Sequence, residues 1–317
     1  MGSAASTDVL VVGAGVSGMT TAICLAESGL TVRVVAKDPP AATTSAVAGA
    51  SWGPYLVTDP RVLRWSELTL RELERIAMEE PTAGVMLVEG IEASGEEVEV
   101  PSWAYGVYGF RMCASDELPP GFVTGWRYRL PLMEMPVYLR YLERRLAEAG
   151  TVLEIGRQID RFDEVTGIAP IVVNCTGLAA GNLVQDTELV AVRGQLVVVK
   201  NPGVDYFFQD NADGEEITYF LPHGDHVVLG GTLDETPGVD GQPNPLVRQR
   251  IIERCARVEP RLANPSVIED RVGFRPARSM VRLERDGNVI HNYGHGGSGV
   301  TLSWGCAQEV LALVSST

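Results

Sequence analysis

The chain has 317 residues, more than one average domain, so two domains or one elaborated α/β unit are expected. Its composition is ordinary for a globular protein, with 45% hydrophobic and 21% charged residues. A formal net charge of −15 disfavours nucleic acid and acidic membranes as partners, because both are polyanions.

The opening stretch MGSAASTDVLVV has no basic segment, and its apolar run is too short for a signal peptide or a membrane span. The ending VSST lacks a peroxisomal tail. Cys24, Cys113, Cys175, Cys255 and Cys306 are odd in number, scattered and without a CxxC pair. Small buried hydrophobes in a reducing cytoplasm are the expectation.

The apolar run Val9-Leu10-Val11-Val12 leads into Gly13-Ala14-Gly15-Val16-Ser17-Gly18. The helical segment MTTAICLAESG follows, closed by Gly29, and then a second apolar strand over 30–36. Strand, glycine turn, helix and strand make a βαβ unit of a parallel sheet. Helices are expected over 61–78 and 133–148. Between them SWAYGVYGFRMC, rich in glycine and aromatics, reads as antiparallel strands. A buried strand over 170–174 ends in Cys175-Thr176-Gly177, and strand-like runs (RGQLVVVK, TYFLPHG, HVVLGG) fill 191–229. A helix over 245–258, a strand at VIHNYG and a helix at GVTLSWGCAQEVLALV complete the chain.

Parallel elements thus cluster at the two ends and around 170–180, and antiparallel ones fill 83–130 and 187–275. The expected fold class is α/β. A discontinuous Rossmann-like dinucleotide domain (1–80, 131–186 and 276–317) carries an inserted, mainly antiparallel-sheet substrate domain (81–130 and 187–275).

A GxGxxG pattern alone is weak, but here it follows a strand and opens a helix. Gly13 permits the tight turn, Gly15 lets the backbone approach a pyrophosphate, and Gly18 allows close packing of helix on strand. Ala14, Val16 and Ser17 carry the amides at the helix start. The acidic residue expected for the adenosine ribose would end the second strand. That strand ends Ala36-Lys37-Asp38, so Asp38 and the Lys37 backbone are both candidates.

The far end of the chain separates nicotinamide from flavin. Gly296-Gly297-Ser298-Gly299 precedes an apolar helix that begins near Val300 and Thr301. A flavin ring needs backbone without side chains to lie against. The helix start would direct amides and a positive dipole end at the ring's C2 carbonyl and N1, where negative charge develops on reduction.

These motifs resemble the D-amino-acid oxidase family, FAD enzymes that also include D-aspartate oxidases. The likeness rests on VVGAGVSG, TTSAVAGASWGPY, NCTG, RGQ, YFLPHG, GFRPARSMVRLE and VIHNYGHGGSGVTLSWGCA, in the family's order and spanning 8–315. The resemblance implies that Arg275 clamps the substrate α-carboxylate, that Tyr219 hydrogen-bonds it, and that the Gly297 carbonyl receives the amino group. It implies that Thr43, Thr44, Ser45, Gly49, Ala50 and Ser51 wrap a non-covalent FAD, and that Ile159 and Thr176 touch it. Two positions depart from the family. The segment QDNADGEEIT before Tyr219 lacks a lid tyrosine, and Gly53 stands where mammalian members have glutamine.

The implied reaction is hydride transfer from the substrate Cα to flavin N5, giving an imino acid that water hydrolyses, with O2 reduced to H2O2. A planar arginine fork suits it, because direction as well as position of the carboxylate decides which hydrogen faces the flavin. Taken singly, Arg275 competes with Arg271, Arg278, Arg282 and Arg285 for that task, and Tyr219 without its motif reads more readily as a strand core aromatic. The acidic residues Asp210, Asp213, Glu215 and Glu216 disfavour acidic substrates, so neutral or basic D-amino acids are expected. A solvated acidic loop without effect on choice is the competing reading.

His291 and His295, four apart, invite a metal reading. His291 falls in a strand run and no third ligand is near, so both are expected as structural hydrogen-bonders and no metal is expected. The partners expected are a D-amino acid and O2, with a homodimer as the assembly left to test. The rival readings are a glycine- or sarcosine-type amine oxidase, a flavin-binding protein without turnover, and an NAD-dependent dehydrogenase.

Overall fold

The computed structural model describes residues 6–54, 59–165, 167–210, 216–236, 238, 240 and 241–316. The chain opens with strand β1 (Val9–Val12), helix α1 (Val16–Glu27), strand β2 (Val32–Ala36) and helix α2 (Val62–Glu79). Strands β3 (Val85–Ser94), β4 (Arg111–Met112) and β5 (Thr124–Met133) precede α3 (Met135–Glu148), β6 (Val152–Ile155), β7 (Ile171–Asn174) and α4 (Ala180–Leu183). Strands β8 (Val190–Lys200), β9 (Phe207–Asp210), β10 (Glu216–His223) and β11 (His226–Thr232) lead to α5 (Pro245–Val258). Strands β12 (Val267–Ala277), β13 (Arg282–Asp286) and β14 (Val289–Tyr293) and helix α6 (Gly299–Ser315) complete it.

The strands form two sheets. One has the order β13-β14-β7-β1-β2-β6, parallel except for β13. The other, β12-β8-β11-β10-β9-β3-β5-β4, is antiparallel except where β3 meets β9.

Helices α1 and α6 are apolar nearly all round because both are enclosed, one against the other. The Thr20 hydroxyl of α1 lies 3.2 Å from the Ser303 carbonyl of α6. Helix α2 is amphipathic instead. Trp65, Thr69, Leu73 and Ile76 recur at helical spacing and are buried, while Glu67 and Arg71 pair on the wet side. Each large apolar side chain so enclosed contributes about 1.5–3 kcal/mol. Asn244 caps α5, its side chain accepting from the Leu246 amide at 2.9 Å, with Pro245 preset for the first turn.

The antiparallel sheet has two faces. Ile91, Val197, Phe208, Phe220 and Leu229 pack beneath Ile251 and Cys255 of α5. Trp126, Tyr128, Leu196, Phe207 and Leu221 point the other way and join the core of the parallel sheet's helices.

The segment SWAYGVYGFRMC departs from the strands expected of it. Ala104–Gly106 is a single 3-10 turn, Gly109 takes φ 77°, and only Arg111–Met112 pairs as strand. Its aromatics serve side-chain packing instead. Trp103 meets Trp52 edge-on at 5.5 Å, while Tyr105 and Tyr108 stay exposed.

Candidate active site

A cleft of about 1020 Å3 opens where β1, β2 and β7 end and extends across the inner face of the antiparallel sheet. In parallel sheets ligands sit beyond the carboxyl ends of strands, where the chain leaves to opposite sides. Here β1 lies between β2 and β7 and provides that crevice.

The glycine turn forms one wall. Gly13 takes φ 112°, and a Cβ there would lie 2.8 Å from the Cys175 carbonyl carbon. At Gly18 a Cβ would strike the Gly13 backbone, so Gly18 lets α1 close on the turn and does not itself line the cleft. Gly15 is open, a Cβ meeting only the Ser45 hydroxyl at 3.3 Å. Ala14, Val16 and Ser17 line the cleft beside it. The Val16 amide already donates to Ser45 Oγ at 3.0 Å, so one of the helix-start amides is held by the protein itself.

Lys37 and Asp38 follow directly on β2, and both line the cleft. Thr43, Thr44, Ser45, Gly49, Ala50 and Ser51 form the adjoining wall. Hydrogen bonds to β5 fix this loop: the Met133 amide donates to the Ala50 carbonyl at 2.8 Å and the Trp52 amide to Pro131 at 3.0 Å. Ala50 adopts φ 56°, a left-handed conformation that costs a non-glycine residue roughly 1–2 kcal/mol. Ile159 and Thr176 reach the same cleft, Thr176 through its side chain and amide on Asn174 Oδ1 at 2.7 and 3.2 Å.

The C-terminal glycines form the opposite wall. Gly296 takes φ 54°, and its amide donates to the Pro276 carbonyl at 2.9 Å. Within residues 291–298 Gly297 alone is exposed, and it faces the cleft with Gly296, Gly299, Val300 and Thr301. Ser298 is buried behind them as the cap of α6 and does not line the cleft. Thr301 fastens α6 to the neighbouring wall, its hydroxyl meeting the carbonyl and the amide of Gly53 at 3.0 and 3.1 Å.

The two histidines serve different amides. Asn174 Oδ1 accepts from Thr176, which leaves its Nδ2 to donate to His291 Nδ1 at 3.2 Å. His295 Nε2 meets Asn292 Oδ1 at 3.0 Å. Burial pushes both imidazoles down to about 4, so both are neutral at physiological pH. Among the described residues no three metal-binding side chains converge.

Arg275 and Tyr219 face the cleft from β12 and β10. The Arg275 guanidinium donates to the Thr232 carbonyl at 3.0 Å and has no carboxylate partner among the described residues. The arginines around it are engaged: Arg271 with Glu269 at 2.7 Å, Arg278 with Asp186 at 3.0 Å, Arg282 with Glu284 at 2.8 Å. Glycines make room for both site side chains. A Cβ on Gly194 would lie 2.6 Å from Arg275 Nη2, and one on Gly49 would lie 3.1 Å from the Tyr219 hydroxyl. Arg193 and Gln195 flank Gly194 and bind the backbone at Asp240, Gln242 and Asn244, so RGQ braces the fold around Arg275.

Sequence reasoning missed several lining residues. Glu92, Gln209 and Trp103 line the cleft from the antiparallel-sheet side, and Arg157 and Asn182 line it beyond strands β6 and β7 of the parallel sheet. Arg157 follows the edge strand β6, too short to stand out, and Glu92 carries no motif at all. Of the acidic lid residues, Asp210 lines the cleft, while Asp213 and Glu215 lie outside the described residues. Glu216 is turned away and paired with Arg250 at 2.9 Å and Arg254 at 2.7 Å, so its charge is compensated. Burial raises the thiols of Cys24, Cys175 and Cys255 to about 12, which removes them as nucleophiles.

The walls fit a flavin dinucleotide. Glycine backbone bounds both ends, two helix starts direct amides inward, and the volume reaches the upper limit of a usual ligand pocket, about 1,000 Å3.

A family model described as FAD dependent oxidoreductase matches residues 8–313. A D-amino-acid oxidase of Rubrobacter xylanophilus is 45% identical over 97% of this chain and 95% of its own length. A D-amino-acid oxidase of Streptomyces coelicolor is 43% identical over 97% of both chains, and a human D-aspartate oxidase is 36% identical over 97% and 94%. The crystal structure of a glycine oxidase from Geobacillus kaustophilus shares the fold, with a TM-score of 0.82 at 20% identity over 98% and 95% of the two chains. With that fold, that cleft and those relatives, the chain belongs to the FAD-dependent oxidoreductase family that includes the D-amino-acid oxidases, and FAD is its cofactor.

Proposed function

We propose that this protein oxidatively deaminates D-amino acids, neutral or basic in preference to acidic, to 2-oxo acids and ammonia. The observation that carries the reading is Arg275, without a carboxylate partner among the described residues, facing the same cleft as the two glycine walls.

Held non-covalently between the two glycine walls, FAD would supply the redox chemistry, two-electron oxidation of the substrate amine with O2 as the final acceptor and H2O2 as its product. The rest is positioning by the chain. Arg275 receives the α-carboxylate on its planar fork, and Tyr219 adds a hydrogen bond to it. The Gly297 carbonyl accepts from the α-amino group as a second fixed point, and the side-chain pocket supplies the third that handedness requires. Carboxylate, amine and side chain so held present one hydrogen of one enantiomer, and that orientation is the protein's contribution to the barrier. The cofactor is held by Gly13 to Ser17, by Lys37 or Asp38, by the loop from Thr43 to Ser51, by Ile159 and Thr176, and by Gly296 to Thr301. Gly18, next after the first stretch, and Ser298, inside the last, support from behind without lining the cleft.

The division into a FAD-binding domain (1–80, 131–186, 276–317) and a substrate domain (81–130, 187–275) is part of the same proposal. So are a reducing, cytoplasmic location, supported by five free cysteines, and a homodimer, tested by light scattering on the eluting holoenzyme. No helix of the described residues is long and apolar enough to cross a membrane.

A peroxide-coupled assay across paired D- and L-amino acids, glycine and sarcosine tests the activity. Peroxide from D-alanine but not L-alanine is expected. Turnover confined to glycine or sarcosine would transfer the chain to the amine oxidases.

A further inference from the structure

Glu92 is a buried carboxylate on the inner wall of the substrate cleft, 8% exposed. It sits in register with Gln209 on β9, and Gln209 in register with Tyr219 on β10. Residues opposite one another on neighbouring strands share a face of the sheet. Glu92, Gln209 and Tyr219 therefore form one row across the cleft. With strands about 4.8 Å apart, the first and last members stand roughly 10 Å from each other.

The surroundings of Glu92 hold no cation. The Tyr128 hydroxyl of β5 donates to one carboxylate oxygen, and Trp126 faces Glu92 across the β3–β5 pairing. Ser51 binds Gln209 at 2.7 Å beside it. Arg127, the nearest cation along β5, alternates to the other side of the sheet and pairs with Glu89 at 3.0 Å. Asp210 at the end of β9 is a second carboxylate on the cleft. The residues outside the described ones include no Lys or Arg. Burial raises the Glu92 carboxyl to about 7, against a smaller lowering by Tyr128, and burial keeps the Tyr128 phenol protonated. A buried carboxylate without a counter-ion is costly unless something supplies one. A buried, perturbed carboxyl that lines a cleft is a candidate functional position.

We propose that Glu92 is the distal anchor of the substrate side chain, so that the cleft takes D-amino acids with a terminal cation, such as D-lysine, D-ornithine and D-arginine. This rests on the reading of Arg275 and Tyr219 as the α-carboxylate site. An extended lysine spans about 6 Å from Cα to its terminal nitrogen at standard bond lengths, which suits a carboxylate at one end of the row and a cation at the other. The charge selecting the substrate then belongs to the sheet wall, not to the acidic segment before Tyr219, where Glu216 is already paired.

The test compares D-lysine with D-norleucine, which has the same chain length and no terminal charge, on the holoenzyme. In the wild type the ratio of their kcat/KM values rises as pH climbs through about 7, because Glu92 ionises. In Glu92→Gln the ratio is expected to drop roughly tenfold or more at pH 8 and to lose that rise. A turnover-free arm uses 6-aminohexanoate against hexanoate, followed by perturbation of the bound flavin's visible spectrum. The amine should bind roughly tenfold tighter to the wild type and lose that advantage in Glu92→Gln. A D-lysine to D-norleucine ratio that is flat with pH in the wild type overturns the proposal even if the variant fails to fold. So does an unchanged ratio in the variant. Absence of turnover with any D-amino acid, D-alanine included, would mark failure of the parent reading, and equal binding of 6-aminohexanoate and hexanoate would mark failure of the anchor.

Discussion

The Arg275 guanidinium lies over the backbone of Gly194, close enough that a Cβ at 194 would come within 2.6 Å of Nη2. The two residues sit on paired strands, β12 and β8, with Gly194 directly opposite Gly273. Gly194 thus supplies the empty space in which the carboxylate clamp lies. Gly194→Ala is expected to displace the guanidinium and lower kcat/KM for D-alanine roughly tenfold or more, while FAD binding and Tm change little. Arg275→Lys, which keeps the charge and loses the fork, should cost roughly 10²–10³-fold in kcat/KM. Steady-state kinetics beside a thermal melt separates both from unfolding. Wild-type kinetics in either variant would remove Arg275 from the substrate site.

Ser45 joins the FAD loop to the helix start, because its hydroxyl accepts from the Val16 amide at 3.0 Å. Ser45→Ala leaves that amide without its partner. The expected loss is about 1 kcal/mol, read as a Tm lower by roughly 2–4 °C in the apoprotein. FAD affinity, measured by quenching on titration, should weaken in parallel, since the loop then lacks its tie to the turn.

Acid should weaken the fold through the histidines. Burial lowers His291 and His295 from 6.5 to about 4 in the native state. For groups with a depressed native pKa, the stability they confer is present above 6.5 and is lost as pH falls from 6.5 towards 4. His295, 4% exposed, accounts for up to about 3 kcal/mol of that loss. Urea unfolding at pH 7.5, 6 and 5 should show falling midpoints, and His295→Gln should flatten the dependence. An unchanged midpoint between pH 7.5 and 5 would show that neither imidazole is held neutral.

Glu92 acts in the opposite direction. Its native carboxyl is raised from 4.5 to about 7, so it favours the fold below 4.5 and that contribution disappears as pH rises through 7. The substrate-free protein should therefore gain from Glu92→Gln at pH 8, by up to about 3 kcal/mol, and gain little at pH 4.5. A variant less stable than wild type at pH 8 would show that Glu92 has a cationic partner inside the fold.

The parts of this protein most readable from sequence are those where local pattern and tertiary role coincide. Val9–Val12, the turn at Gly13 to Gly18 and the enclosed helices α1 and α6 are continuous apolar runs punctuated by glycine, and the structure places them as expected. Arg275 and Tyr219 stood out only through motif likeness, since an arginine or a tyrosine in a strand has no pattern of its own. The row Glu92, Gln209 and Tyr219 had no signal, because strand register brings together residues that are distant in the chain. For the same reason nothing in the run RGQLVVVK marks Gly194 as the space beneath Arg275. The aromatics of SWAYGVYGFRMC suggested strands because β-propensity reports packing on a half-buried surface, and Trp103 finds such packing on Trp52 from a turn. Strands β6 and β13, short and at sheet edges, lie below what periodicity can resolve.

The most direct test of the account is anaerobic reduction of the flavin in the purified holoenzyme, followed by its visible absorption band. D-alanine and D-lysine should each bleach the band rapidly, L-alanine and glycine should not, and Arg275→Leu should retain the band and bleach far more slowly. Bleaching by L-alanine as fast as by D-alanine, or an unimpaired Arg275→Leu, would contradict the assignment of Arg275 as the group that orients the substrate.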